Sequence, residues 1–246
     1  FSKMIYLFRT HHSIKKGIIQ TNDKGSSDGA LNLADLVDQY NINPCYVVDN
    51  TLAGIWPIYK SLSVPLVFGL RVNFVSDASD KSPESNKSAH KNIIFAKNEV
   101  GYKELIKIST RANTEDFLVA PRIDYSYFHS VQSENLVLAI PFYDSFLDKN
   151  LMQGGQCVPD FRALKPYVFL ENNQLPFDAA LRNKAIQFAE SNGLETVETQ
   201  TVYYDKSEHA LAYQALRCTD RSGGKHRTIE KPELDHFGSS FFCIEK

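Results

Sequence analysis

The sequence has no hydrophobic run able to cross a bilayer: its longest apolar stretches, residues 65–70 and 136–142, fall far short of the roughly 20 residues a spanning helix needs. Residues 1–8 lack the charged region, long apolar stretch and small-residue cleavage site of a secretory signal, so a soluble, cytoplasmic chain is expected. Cysteine is sparse. Cys45, Cys157, Cys218 and Cys243 lie far apart with no C-x-x-C pair, which predicts free thiols rather than a disulfide framework. A basic excess is missing too. The formal charge is −2, with only small clusters such as Lys15-Lys16 and residues 225–227, so autonomous duplex binding is not expected. Gly154-Gly155 and Gly223-Gly224 lack the Lys-Ser/Thr of a phosphate loop, and no Gly-x-Ser-x-Gly or Cys/His nucleophile pattern is visible.

What is present is ordinary globular composition, 43% hydrophobic and 23% charged, over a length that suits one large α/β domain or two small ones. Residues 4–8, 45–48 (ending in Asp49), 65–72, 92–96, 135–140, 167–170 and 196–204 read as short buried strands. Helical periods fall between them. Residues 31–40 carry Leu33, Leu36, Val37 and Tyr40 behind Asn32 as N-cap, and residues 54–62 tolerate Pro57 only in a first turn. In residues 101–112, Tyr102, Leu105, Ile106 and Ile108 are available for the core. In residues 177–192, Ala180, Leu181, Ile186 and Ala189 point inward and Gly193 stops the helix. Residues 207–218 form a further helix with Ser207 as N-cap, and residues 76–89, rich in Ser, Asp and Lys, read as a surface loop. The alternation predicts a parallel sheet, open or closed into a barrel.

Residues 92–112, NIIFAKNEVGYKELIKISTRA, resemble the strand–loop–helix of the PHP domain in bacterial-type replicative DNA polymerase III alpha subunits. Other pieces resemble that family in the same order: Asp28-Gly29-Ala30 with Leu36-Val37, Val47-Val48-Asp49, residues 65–72, Pro121-Arg122-Ile123-Asp124, residues 166–171, Leu181-Arg182-Asn183, and residues 238–242 followed by Lys246. The resemblance covers nearly the whole chain. It implies a single PHP domain over residues 1–246, a distorted TIM-like (β/α)7 barrel, from the N-terminal part of a longer polymerase or a stand-alone relative of it. No palm-type carboxylate motif is present. The first loop, residues 14–27, is longer than the family's and is expected to overhang the barrel mouth, as a cap or as a solvated variable loop.

Active members of the family hold up to three metal ions at that mouth, where the ions lower the pKa of a water and neutralise phosphate charge. Carried over by position, the resemblance places Thr10 and His12 at the H-x-H element and Asp49-Asn50 at the second strand end. It places Arg71 where a Glu stands, Lys91 where a His stands, Phe142 near a Cys or His, and Thr201 and Tyr203 where an Asp and a His stand. His12 and Asp49 alone keep ligand-capable side chains, and Arg71 and Lys91 would repel divalent ions. His11 is expected to face away, because neighbours on a strand alternate. His12 reads as a hydrogen-bonded mouth residue. Asp49 is a candidate to pair with Arg71, and His90, His129, His209, His226 and His236 read as surface or loop residues.

The resemblance therefore implies a catalytically inactive domain without a cofactor, supporting the polymerase palm and thumb and docking a separate proofreading exonuclease. The alternative is an active phosphoesterase or 3′–5′ exonuclease holding Zn, Mn or Fe on a site rebuilt from His11, His12, Asp49 and Asp28. A relative of histidinol phosphatases is a third reading, disfavoured because those enzymes keep their ligands.

Overall fold

Side chains alternate across a strand, and here that alternation separates an inner core from an outer one. The computed structural model describes residues 4–13, 17–21, 31–218, 221–222, 225–226 and 239–245. Most of the expected inserted loop 14–27, together with Asp28 and His236, lies outside them. The strands are β1 (Ile5–Phe8), β2 (Cys45–Asp49), β3 (Leu66–Val75), β4 (His90–Ala96), β5 (Arg122–Asp124), β6 (Leu136–Ile140), β7 (Tyr167–Leu170) and β8 (Thr196–Val202). The helices are α1 (Leu33–Gln39), α2 (Ile55–Ser61), α3 (Pro83–Lys87), α4 (Glu99–Asn113), α5 (Tyr125–Val131), α6 (Phe146–Met152), α7 (Asp178–Asn192) and α8 (Ala210–Cys218). Among the described residues no helix is long and apolar enough to cross a membrane.

Seven strands close into a barrel in the order β1-β2-β3-β4-β6-β7-β8, with β8 returning to β1 through Leu7↔Thr201. Leu7, Val48, Ile93, Phe95, Ala139 and Phe169, with Ile5, Tyr46, Val67, Val137 and Val197, fill its interior. The intervening residues Phe8, Val47, Phe68, Leu70 and Ile94 face outward and are covered by α1, α2, α4 and α5. Ile140, Val168 and Leu170 are covered by α6 and α7. Gly69 belongs to the inner face, where a Cβ would lie 2.7 Å from both Ile93 Cγ2 and Phe95 Cε1.

The sheet is not all parallel. β4 runs antiparallel to both β3 and β6. The reason is the connection over residues 76–89, which carries the five-residue α3 and returns the chain at the end of the barrel where β3 left it. Arg122, fully buried, holds that connection: Nη2 donates to Ala78 O (3.0 Å) and Asp80 O (2.7 Å), Nη1 to Ser85 Oγ (3.0 Å), and Nε to Asp116 O (2.9 Å). Asp124 accepts from Ala78 N (3.1 Å) and caps α5 at Tyr127 N (2.7 Å). The PRID segment is thus a loop anchor and a helix cap. β5 itself pairs with the far end of β3 at Asn73↔Arg122 and stays outside the closed ring.

The AKN segment is structural as well. Asn98 caps α4 by accepting from Gly101 N (3.0 Å) and donates to Asn135 Oδ1 (2.8 Å), while Lys97 N donates to Asn135 O (2.9 Å). Gly101 lies directly under the Asn135 carbonyl, where any Cβ would collide. Several local expectations change. Ile106 and Ala180 are exposed, because the buried stripes run through Leu105, Ile108 and Ala112 in α4 and Leu181, Ala185 and Ala189 in α7. Ser207 is not an N-cap, since a 3-10 turn, Ser207–His209, opens there behind Lys206. His90 is buried, its Nδ1 against Ser88 O (3.2 Å) and its Nε2 against the Tyr125 hydroxyl. Burial pushes its pKa down to about 4.

Candidate functional site at the barrel mouth

The strand ends of β1, β2, β6, β7 and β8 meet at one end of the barrel, together with Arg71 of β3 and the start of β4. Period-two spacing from the interior residues explains what stands there: Leu7 is followed on the same face by Arg9, Gly69 by Arg71, Phe169 by Glu171, and Thr201 by Tyr203. All of these but Gly69, with Val48, Ile93, Phe142, Asp144 and Phe242, line a cavity of about 30 Å³.

Asp49 is fully buried and leaves the strand on the other side. Its carboxylate accepts from Thr10 N (3.0 Å), Thr10 Oγ1 (2.6 Å) and the Ser13 hydroxyl. The expected pairing of Asp49 with Arg71 does not form. Arg71 instead donates Nη2 to Asp144 Oδ2 (2.8 Å) and Tyr143 O (3.0 Å), because it sits on the inner face and reaches the β6 loop. Lys91 N donates to Asp144 O (2.8 Å), and the Lys91 side chain shares a groove on the barrel flank with Asn50 and Arg71.

His11 and His12 occupy a turn, not a strand, so they do not alternate; their ring centroids lie 4.0 Å apart. His11 Nδ1 lies 3.2 Å from Ile19 O, and His12 Nε2 lies 2.8 Å from Thr21 Oγ1. Burial, then the neighbouring His11, lowers the His12 pKa. Gly54 at the start of α2 leaves room for the His12 ring. Among the described residues, no three His, Cys, Asp or Glu side chains converge as a group able to hold a metal ion.

Sequence reasoning missed Arg9 and the role of Glu171. Arg9 is almost fully buried, and its Nη2 donates to Asn50 Oδ1 (2.9 Å) and Ser13 Oγ (3.3 Å), both uncharged. Burial lowers its pKa, and the Arg71 charge adds to that fall while Tyr203 and Asp49 oppose it. Glu171 accepts from Thr201 Oγ1 (2.6 Å), Thr201 N (3.1 Å) and Asn173 Nδ2 (2.9 Å). Burial raises its pKa against the pull of those bonds. Tyr203 stacks on Tyr213 at 4.4 Å, and Phe142 forms part of the wall. The signal for Arg9 was its register: an arginine two residues beyond an inward leucine belongs to the mouth.

No family model matches the chain. Two curated proteins are similar to it. The DNA polymerase III subunit alpha of Aquifex aeolicus (strain VF5) is 26% identical over 211 residues, covering 77% of this chain and 18% of that protein. The DNA polymerase III subunit alpha of Thermus aquaticus is 22% identical over 160 residues, covering 62% of this chain and 13% of that protein. The chain therefore spans less than a fifth of the length of these relatives.

Proposed function

We propose that this chain is a PHP-type domain, a distorted TIM-like (β/α)7 barrel, of a DNA polymerase III alpha-like protein, and that it serves DNA replication as a structural support and protein-docking module without phosphoesterase activity. The similarity to two alpha subunits supports the polymerase context. The closed seven-strand barrel supports the fold.

The observation that carries the loss of chemistry is the inner face of the mouth. Metal-assisted hydrolysis needs acids and imidazoles converging on the ions. Here Arg9 and Arg71 point into the cavity, with Lys91 beside Arg71. The buried carboxylates Asp49 and Glu171 are already engaged by Thr10, Ser13, Thr201 and Asn173. A divalent ion would have to displace those bonds and sit a few ångströms from two guanidiniums, where like-charge repulsion is several kcal/mol at about 4 Å in a partly buried cleft. The residues present do not fit a metal cluster.

In this reading the palm and thumb of the polymerase rest on the barrel, and a separate proofreading exonuclease is a second candidate partner. The domain works in the cytoplasm without gripping duplex DNA on its own. The competing enzyme reading needs His11, His12, Asp49 and Asp28 to share one ion. It must release His11 from Ile19 O and His12 from Thr21, and Asp28 lies outside the described residues. Hydrolysis of bis(p-nitrophenyl) phosphate with added Mn²⁺ separates the two. We expect no turnover above buffer; Mn-dependent turnover abolished by His12→Ala would establish the enzyme reading instead.

A further inference from the structure

Arg9 is 3% exposed, and a guanidinium stays charged under all ordinary conditions. Its Nη2 reaches only the neutral Ser13 and Asn50, and its Nε has no hydrogen-bond partner among the described residues. Among the described residues, the carboxylates near the mouth are committed elsewhere: Asp49 to Thr10 and Ser13, Glu171 to Thr201 and Asn173, Asp144 to Arg71. A buried charge without a contacting counter-charge is costly, and a desolvated anion beside it relieves that cost. The mouth cavity opens on both Arg9 and Arg71, while Leu7, Val48, Ile93 and Phe169 make its floor apolar. Its volume, about 30 Å³, is room for about two water molecules. That excludes a sugar or a base and admits only a small ion.

We propose that the mouth is a site for one small inorganic anion, no larger than phosphate, held between the Arg9 and Arg71 guanidinium groups. The anion takes the counter-charge role that a carboxylate would otherwise fill, and it makes the mouth an anion site built on two arginines. The inference rests on the reading of the mouth as metal-free. Metal analysis tests that reading, whereas the titration below, made on protein already shown to be metal-free, tests this one.

The full chain is exchanged into sodium gluconate, whose anion is too large for the cavity, and titrated at constant ionic strength with sodium phosphate and, separately, sodium chloride. Thermal unfolding and, for phosphate, the ³¹P line width are followed. The expected result is a saturable rise in unfolding temperature with at least one of the two anions, phosphate line broadening marking phosphate as the occupant and a chloride-only rise marking chloride. Arg9→Lys keeps the charge but loses the planar guanidinium fork, and is expected to raise the half-saturating concentration by about tenfold. Should Arg9→Lys fail to fold, the wild-type comparison with gluconate still decides. Identical unfolding temperatures in gluconate, chloride and phosphate, or an Arg9→Lys variant with the wild-type response, would overturn the proposal.

Discussion

Arg71 and Asp144 form an ion pair at 2.8 Å across the barrel mouth, the arginine side chain nearly buried and the aspartate half exposed. With Arg71 so engaged, Asp49 is satisfied, among the described residues, by Thr10 and Ser13. A position that could have cross-linked β2 and β3 instead ties β2 to the turn after β1. That turn carries His11 and His12, so its placement depends on Asp49.

Asp49→Ala should therefore act through stability. It leaves Thr10 N and two hydroxyls without their acceptor in a buried setting, at a cost of about 3 kcal/mol. Urea denaturation measures it. A loss below about 1 kcal/mol would mean the surrounding polar groups find other partners.

Arg122 supplies three hydrogen bonds to the connection between β3 and β4 and a fourth to Asp116 O, in the loop after α4. Arg122→Met removes the charge and all four donors, and is expected to cost about 3–5 kcal/mol. Hydrogen exchange should show protection lost first over residues 76–89 while β6 and β7 remain protected. Uniform loss across the barrel would contradict an anchoring role.

In an exposed helix, Gly→Ala gains about 1 kcal/mol. Gly101→Ala should do the reverse, because the new methyl meets the Asn135 carbonyl and pushes α4 from β6. We expect destabilisation of about 1–3 kcal/mol in thermal or chemical unfolding. Stabilisation by this substitution would show that α4 can shift freely.

Two buried groups set opposing pH slopes. His90 titrates at about 4 in the fold against 6.5 for the free side chain, so the unfolded chain binds the extra proton and stability falls as pH drops from 6.5 to 4. Asp148, raised by burial from 3.8 to about 6, works the other way: its folded form holds the proton longer, and stability falls as pH rises through that window. The difference between wild type and His90→Phe isolates the first. Wild type should lose on the order of 3 kcal/mol more than the variant between pH 6.5 and pH 4. Parallel pH profiles would place His90 in contact with water.

The seven strands of the ring and five of the helices were legible because apolar alternation and caps are local: Asn32 and Gly193 each act within a turn of their own helix, whereas the short elements α3, α5, α6 and β5 were not read. The direction of β4 was not, since a strand buried on both faces carries the same pattern either way round. The Arg71–Asp144 pair joins positions 73 residues apart, and no local signal links them. His90 was read as exposed because one histidine between Ala89 and Lys91 has no periodicity, yet β4 begins there and turns it into the outer core. Arg9 was not legible for a related reason: it stands one residue beyond the end of β1, and only the inward register of Leu7 carries it to the mouth.

The most direct test of the account is the metal content of the protein after purification without chelator and exhaustive dialysis, read by mass spectrometry and by anomalous scattering at the mouth. Two arginines directed into the cleft and two carboxylates already saturated predict far less than one equivalent of Zn, Mn or Fe. Two or more tightly held ions between His12, Asp49 and Glu171 would contradict it.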